Sequence, residues 1–226
     1  MRMRLRRTIN VLTQQCQIII NMITGLLVTR LVLQHLGEST YANLGVMLSI
    51  TGFVGTISNA FTGDAARYLT QAITKGETEE ASSYMSNTVG AVVGLGIALG
   101  IPMFLIQELR PGTFGNISTG IMLLFLMAVL FNGLAGVFRS INFATESFAV
   151  SSLVFIGSRL LYLILAVIFL LYTSLGVWGL GWSFWASGCF ALVFSLFLSC
   201  KIMPSVRCSV SKCSPSIIRE ILIFVF

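Results

Sequence analysis

The sequence predicts an all-α membrane protein: a bundle of six transmembrane helices followed by the start of a seventh. Three observations carry that prediction. Of 226 residues, 56% are hydrophobic and only 10% are charged, whereas an ordinary soluble domain is about 25% charged. The mean hydropathy is +0.91. Six apolar stretches each reach roughly the 20 residues needed to cross about 30 Å of hydrocarbon. So few charges would leave a water-facing surface of this size uncovered, which argues against a soluble globular enzyme. The low polarity argues equally against intrinsic disorder. Runs such as Leu160–Leu171 do not alternate with period two, so helices are expected rather than the strands of a barrel.

The first span is expected over 9–33. The preceding Met-Arg-Met-Arg-Leu-Arg-Arg is like the basic start of a signal peptide. The segment after it is long, polar in places and without a small-residue cleavage site, so it reads as a retained span. It carries Thr13, Gln17, Asn21 and Thr24 at steps of four, four and three, within a sector of about 80° on a helix. The second span, over 43–66, holds Gly45, Ser49, Gly52, Thr56, Asn59, Gly63 and Arg67. Their steps of three and four make one small-and-polar stripe, with Phe53, Val54, Phe61 and Leu69 elsewhere on the circumference.

The third span, over 87–107, contains Gly90-x-x-x-Gly94 and Gly96-x-x-x-Gly100, the small-residue spacing of close helix packing. The fourth, over 118–138, repeats a polar stripe at Ala128, Asn132, Gly136 and Arg139. The fifth is expected over 154–174. A tight turn near Leu175–Gly176 leads to the sixth, over 177–200. A last apolar run begins near Ile217 and reaches Phe226, about ten residues, too short to cross.

The pieces between spans are too short for a soluble domain. They carry the charge asymmetry that orients membrane proteins. On the side of the N-terminus lie Arg2, Arg4, Arg6, Arg7, Arg67, Lys75, Arg139, Lys201, Arg207, Lys212 and Arg219; on the other side lies Arg110 alone. The expectation is a cytoplasmic N-terminus in a multi-pass protein of the cell's inner membrane. The formal net charge of +6 is then explained by orientation and by attraction to anionic lipid, with no nucleic acid needed.

In lipid, polar side chains must face protein, water or substrate. The stripes of the first, second and fourth spans therefore either pack helix on helix or line a lumen, and for the second span both readings stand open. Arg67, Arg139 and Arg159 all fall near the inner ends of predicted spans, and Asp64 lies three residues before Arg67. If those helices surround one cavity, its inner mouth is cationic, and phosphate is the natural guest because guanidinium grips it bidentately. No catalytic motif is present: no His-x-x-Glu-His, no Gly-x-Ser-x-Gly and no Walker sequence. An enzyme is therefore not expected. Cys208-Ser-Val-Ser-Lys-Cys213 lacks a second pair or a nearby His to complete a tetrahedron, so no metal or other cofactor is expected. His35, the sole histidine, reads as a solvated residue at a span end, and Asn116-Ile-Ser as a glycosylation sequon of consequence only in a eukaryote.

Three segments carry a family resemblance. Thr29-Arg-Leu-Val-Leu-Gln-His-Leu-Gly-Glu-Ser-Thr-Tyr41-Ala resembles the leucine-glycine, acidic, tyrosine junction between the first two spans of polysaccharide (O-antigen) flippases of the MOP superfamily, the group that also holds MATE exporters. Arg67-Tyr-Leu-Thr-Gln-Ala-Ile-Thr-Lys-Gly76-Glu resembles the loop after their second span, where an arginine-led helix runs to a lysine-glycine turn. Pro215-Ser-Ile-Ile-Arg-Glu220 resembles the start of their seventh helix. Ala42 departs from the family's usual glycine, and the chain is half a family member's length.

The resemblance implies one lobe of a two-lobe, flippase-type transporter. Residues 1–200 would be the N-terminal six-helix lobe, 201–216 a cytoplasmic inter-lobe linker and 217–226 a truncated start of helix seven. It implies movement of an undecaprenyl pyrophosphate-linked oligosaccharide across the membrane for O-antigen, capsule or exopolysaccharide assembly. The partners would be the bilayer, that lipid-linked oligosaccharide, and a missing C-terminal lobe or a second copy. From facing and charge, Arg67, Arg139 and Arg159 would attract the head group, while Asn21, Thr24, Thr56, Asn59 and Asn132 would bond sugar hydroxyls. The rival expectations are a MATE-like cation or drug exporter, a membrane-embedded transferase and a non-transporting assembly subunit.

Overall fold

The computed structural model describes residues 2–110, 112, 117–145 and 147–204, without the side chains of residues 2–7 and of Asp64. The Asn116 sequon, the Cys208 and Cys213 pair, most of the expected linker and the start of a seventh helix lie outside the described residues, as does any pairing of Asp64 with Arg67. The described elements are α1 (Arg2–Leu36), α2 (Glu38–Lys75), α3 (Thr78–Leu109), α4 (Thr119–Ala144), α5 (Phe148–Tyr172) and α6 (Val177–Ile202). All six are long and apolar enough to cross a membrane, as expected of a multi-pass membrane protein.

The helices overrun the predicted spans, and much of what reads as loop is helix. The stretch 67–86 is helical except around Gly76, where α2 ends and α3 begins. Gly76 takes φ +80 in the left-handed region, with the Gly76 and Glu77 amides donating to Ile73 and Ala72 carbonyls. That closure satisfies two of the carbonyls left open at the helix end, in a left-handed backbone that favours glycine. Gly37, at φ +82, makes the other sharp junction, between α1 and α2.

The order of packing follows the small residues. α4 is the central helix, laid chiefly against α6 and α2. α6 presents Ser183, Ser187, Ala191, Ser195 and Ser199, all buried and spaced by four. A methyl group at Gly188 would meet the Ala128 carbonyl oxygen at 3.0 Å, so backbone presses on backbone there. Ser199 completes the seam by donating to the Phe138 carbonyl at 2.6 Å. α3 leans on α2 and α4, while α1 lies along α5 and touches α2 only lightly. Asn10 of α1 fixes that placement by accepting from the Ala149 amide, an otherwise orphan donor in the first turn of α5.

Two apolar cores result. One joins Val28, Val32, Leu44, Met47, Phe125, Leu170 and Leu180 towards the end of the bundle where α1 finishes. The other joins Phe61, Leu69, Met85, Val92, Val137 and Ile141 towards the end where α1 begins. Of the glycines expected to pack α3, Gly96 does so, against Leu130, whereas Gly94 and Gly100 have open space where a side chain would stand.

Candidate functional site

Between the two cores the bundle opens. A cavity of about 330 Å³ is bounded by α2, α4, α5 and α6 and lined by Thr51, Gly52, Gly55, Thr56, Ser58, Asn59, Asn132, Gly133, Arg139, Phe155 and Arg159, with Leu48, Val129 and Phe184. No carboxylate is among its described lining residues.

Each wall has a local cause. On α2, Leu44, Met47, Thr51, Val54, Ser58, Phe61, Ala65, Leu69 and Ala72 are buried, again at steps of three and four. That face holds the helix to its neighbours. The stripe of Ser49, Gly52, Thr56, Asn59 and Gly63 lies on the opposite, exposed side. A methyl group at Gly45, Gly52, Gly55 or Gly63 would touch nothing within 4 Å. Among the described residues these glycines touch no other helix, and Gly52 and Gly55 border the cavity with Thr56 and Asn59. The fourth-span stripe divides. Ala128 and Gly136 are packed, so that a methyl group at Gly136 would meet the Thr62 side chain at 3.0 Å, while Asn132 and Arg139 remain half-buried at the cavity.

The guanidinium groups share one aromatic ring. The Arg139 Cζ lies 5.7 Å and the Arg159 Cζ 5.1 Å from the centre of the Phe155 ring, within the range of cation–π attraction. Arg139 also donates through Nε to the Ala135 carbonyl at 3.3 Å, and Asn132 donates to the Ala128 carbonyl at 2.8 Å. Among the described residues the other guanidinium N–H groups and the Asn132 carbonyl oxygen make no further hydrogen bond.

Five of the eight expected site residues line this cavity: Thr56, Asn59, Asn132, Arg139 and Arg159. Three do not. Arg67 is exposed on α2 about two helical turns beyond Asn59 and takes no part in the lining. Asn21 is exposed, and Thr24 is buried with its hydroxyl unpartnered. Thr24 shares the face of Val28 and Val32, which packs into the first core, so the α1 stripe is split between environments. Arg159 is also deeper than its predicted span implies. The helix begins at Phe148 rather than near 154, which puts Arg159 twelfth of 25 residues, at mid-helix. Phe155 escapes sequence reasoning, because a phenylalanine in an apolar run carries no signal until its neighbours in space are known.

A second polar cavity, about 270 Å³, lies between α1, α4 and α5 and is lined by Gln14, Gln17, Ile18, Arg139, Phe143, Ser151 and Ser152. A third, about 390 Å³, is almost wholly apolar and lies between α2, α3 and α4.

No protein-family model matches the sequence, and no curated protein does. Solved structures do. A multidrug resistance MATE family transporter of the MOP superfamily in an outward-facing conformation superposes with a TM-score of 0.74 at 17% identity, over 97% of this chain and 50% of that one. A MATE in the bent conformation gives 0.77 at 16%, over 97% and 52%. A MOP superfamily transporter from Pyrococcus furiosus, described for a reverse polarity of its binding pocket that suggests a different function, gives 0.72 at 17%, over 97% and 50%. The chain spans about half the length of the structures it matches, and its six helices have the fold of one lobe of a MATE-type transporter of the MOP superfamily.

Proposed function

We propose that this chain is the N-terminal lobe of an alternating-access transporter whose cargo is anionic, and that the cargo is a phosphate-bearing, sugar-linked lipid moved from the cytoplasmic leaflet outward. The observation that carries this reading is the pair Arg139 and Arg159, half-buried at one ring on a cavity whose described lining holds no carboxylate. An intramembrane charge is costly and marks a substrate path by default. Thr56, Asn59 and Asn132 supply the polar surroundings that a sugar or a pyrophosphate needs. A volume of about 330 Å³ is at the small end of ligand pockets, which run from about 300 to 1,000 Å³. It suits a head group, with the remainder of an oligosaccharide against the exposed α2 stripe. The lobe acts without catalysis or cofactor in this reading, its N-terminus cytoplasmic, and a second lobe or second copy closes the open face.

A second reading is a MATE-like drug or cation exporter, and the solved neighbours favour it over lipid-linked oligosaccharide flipping, since they include multidrug transporters. The cavity's charge favours the anionic cargo, because cation coupling calls for buried carboxylates.

Reconstitution distinguishes them. Liposomes carrying the chain with its second lobe should move a fluorescent polyprenyl-pyrophosphate oligosaccharide between leaflets, and Arg139→Gln with Arg159→Gln should abolish that movement. Movement of a lipophilic cation, with the double variant unaffected, overturns the anionic reading.

A further inference from the structure

Arg139 belongs to two cavities at once. It lines the central one with Arg159, and it lines the smaller one between α1, α4 and α5 with Gln14, Gln17, Ser151 and Ser152. The smaller cavity lies towards the end of the bundle where α1 begins. Gln14 and Gln17 come from the first half of α1, Ser151 and Ser152 from the first turns of α5, and Phe143 from the last turn of α4. The Asn10 side chain ties the same end of α1 to α5.

We propose that this smaller cavity is a second anion subsite, an antechamber in which a phosphoryl group rests on Arg139 before passing to Arg159. The inference rests on the anionic-cargo reading of the two arginines. Four features support it. The described lining carries one cation and no acid, so its charge favours a guest of negative sign. Gln14 and Gln17 each offer two N–H donors, and Ser152 offers a hydroxyl. Ser151, 3% exposed, keeps a hydroxyl without a hydrogen-bond partner among the described residues, a state that buried polar groups in folded proteins rarely show. The antechamber adjoins the first turns of α5, where the helix dipole adds to the attraction. A guanidinium has donors on several edges, so Arg139 can hold an anion from one cavity and hand it to the other without moving its backbone. Cargo approaching from the α1-start side would thus meet graded charge, one arginine and then two.

The test uses the full chain in phosphatidylcholine nanodiscs, with inorganic pyrophosphate as the soluble probe and calorimetry as the readout. Arg159→Gln removes the central grip and leaves the antechamber. Gln17→Leu with Ser152→Val does the reverse. Arg159→Gln should still bind pyrophosphate, more weakly than the parent. Adding Gln17→Leu and Ser152→Val to it should weaken binding a further hundred-fold or more, the effect of losing two hydrogen bonds at about 1.5–3 kcal/mol each to a charged guest. If the added pair changes nothing, or if Arg159→Gln alone removes all binding, the antechamber is refuted while the central site stands. If the parent chain binds no pyrophosphate, the anionic-cargo reading falls with it.

A second measurement places the anion without relying on weakened variants. In a background whose five native cysteines are replaced by serine, Gln14→Cys, at an exposed position of the cavity lining, should react with a water-soluble thiol reagent, and pyrophosphate should slow that reaction. Labelling that pyrophosphate leaves unchanged refutes the subsite. Nanodiscs doped with a polyprenyl phosphate separate the sources. Protection by the lipid as well as the free anion supports a head-group subsite, and protection by the free anion alone overturns its role in cargo passage.

Discussion

At mid-helix a guanidinium costs about 2.5–3.5 kcal/mol on insertion scales, and Arg159 occupies such a position with the Phe155 ring beside it and no acid on the cavity wall. A residue that served only the fold would not be charged there. Replacing a desolvated charge by an apolar side chain of similar size is often stabilising. Arg159→Met should therefore raise the midpoint of thermal unfolding in detergent while weakening pyrophosphate binding, both read on one preparation. A fall in both would assign the arginine to structure instead. Phe155 acts through its neighbours. Phe155→Leu keeps the bulk and removes the ring that both cations face. With each cation–π contact worth about 0.5–1 kcal/mol, losing both should lower stability by about 1–2 kcal/mol, and anion affinity should fall as well because the guanidinium groups are no longer held at one place. Calorimetry beside a melting curve separates the two effects.

Within single helices, the same residue type does opposite work, and that contrast can be measured. Gly52 has open space around it, whereas a methyl group on Gly188 would press on the Ala128 backbone. Gly52→Ala should stabilise the bundle by up to about 1 kcal/mol, the intrinsic helix preference of alanine over glycine. Gly188→Val should destabilise it by about 1–3 kcal/mol, the range for overpacking. Urea or thermal unfolding of both variants checks the pair. The α2 stripe is legible in the sequence because three-four spacing survives any rotation of the helix. Its meaning is not, since packing and lining leave identical patterns in a lone sequence. The α1 stripe misleads for a related reason. Thr24 and Asn21 share a sector of the helix, but α1 turns towards α5, so Thr24 is packed and Asn21 faces outward. Hydropathy places Arg159 too near an end because Ser151 and Ser152 lower the apolar character of the first turns of α5, hiding helix that starts at Phe148. On α6, the serines read as polar residues but act as small ones, their hydroxyls returned to backbone carbonyls at 2.7 Å in Ser183 and Ser187.

Across the whole bundle, charge and helix polarity combine into a prediction about orientation. The six helices alternate in direction, so the start of α1, the turn at Gly76, the α4–α5 junction and the end of α6 share one face. Among the described residues Lys75 and Lys201 lie at that face and Arg110 at the opposite one. Positive loops are retained in the cytoplasm, which would place both cationic cavities on the side where a phosphorylated lipid is made. Reporter fusions test the geometry. A fluorescent protein active only in the cytoplasm should be bright when joined after Lys75 and dark when joined after Leu109. A phosphatase active only outside should give the reverse. The inverted pattern would put Arg139 nearer the outer face, where it would meet cargo after translocation instead of before. The antechamber would then hold a departing head group, and flipping by this lobe would have to begin at the end lined by α1's last turn and α2's first.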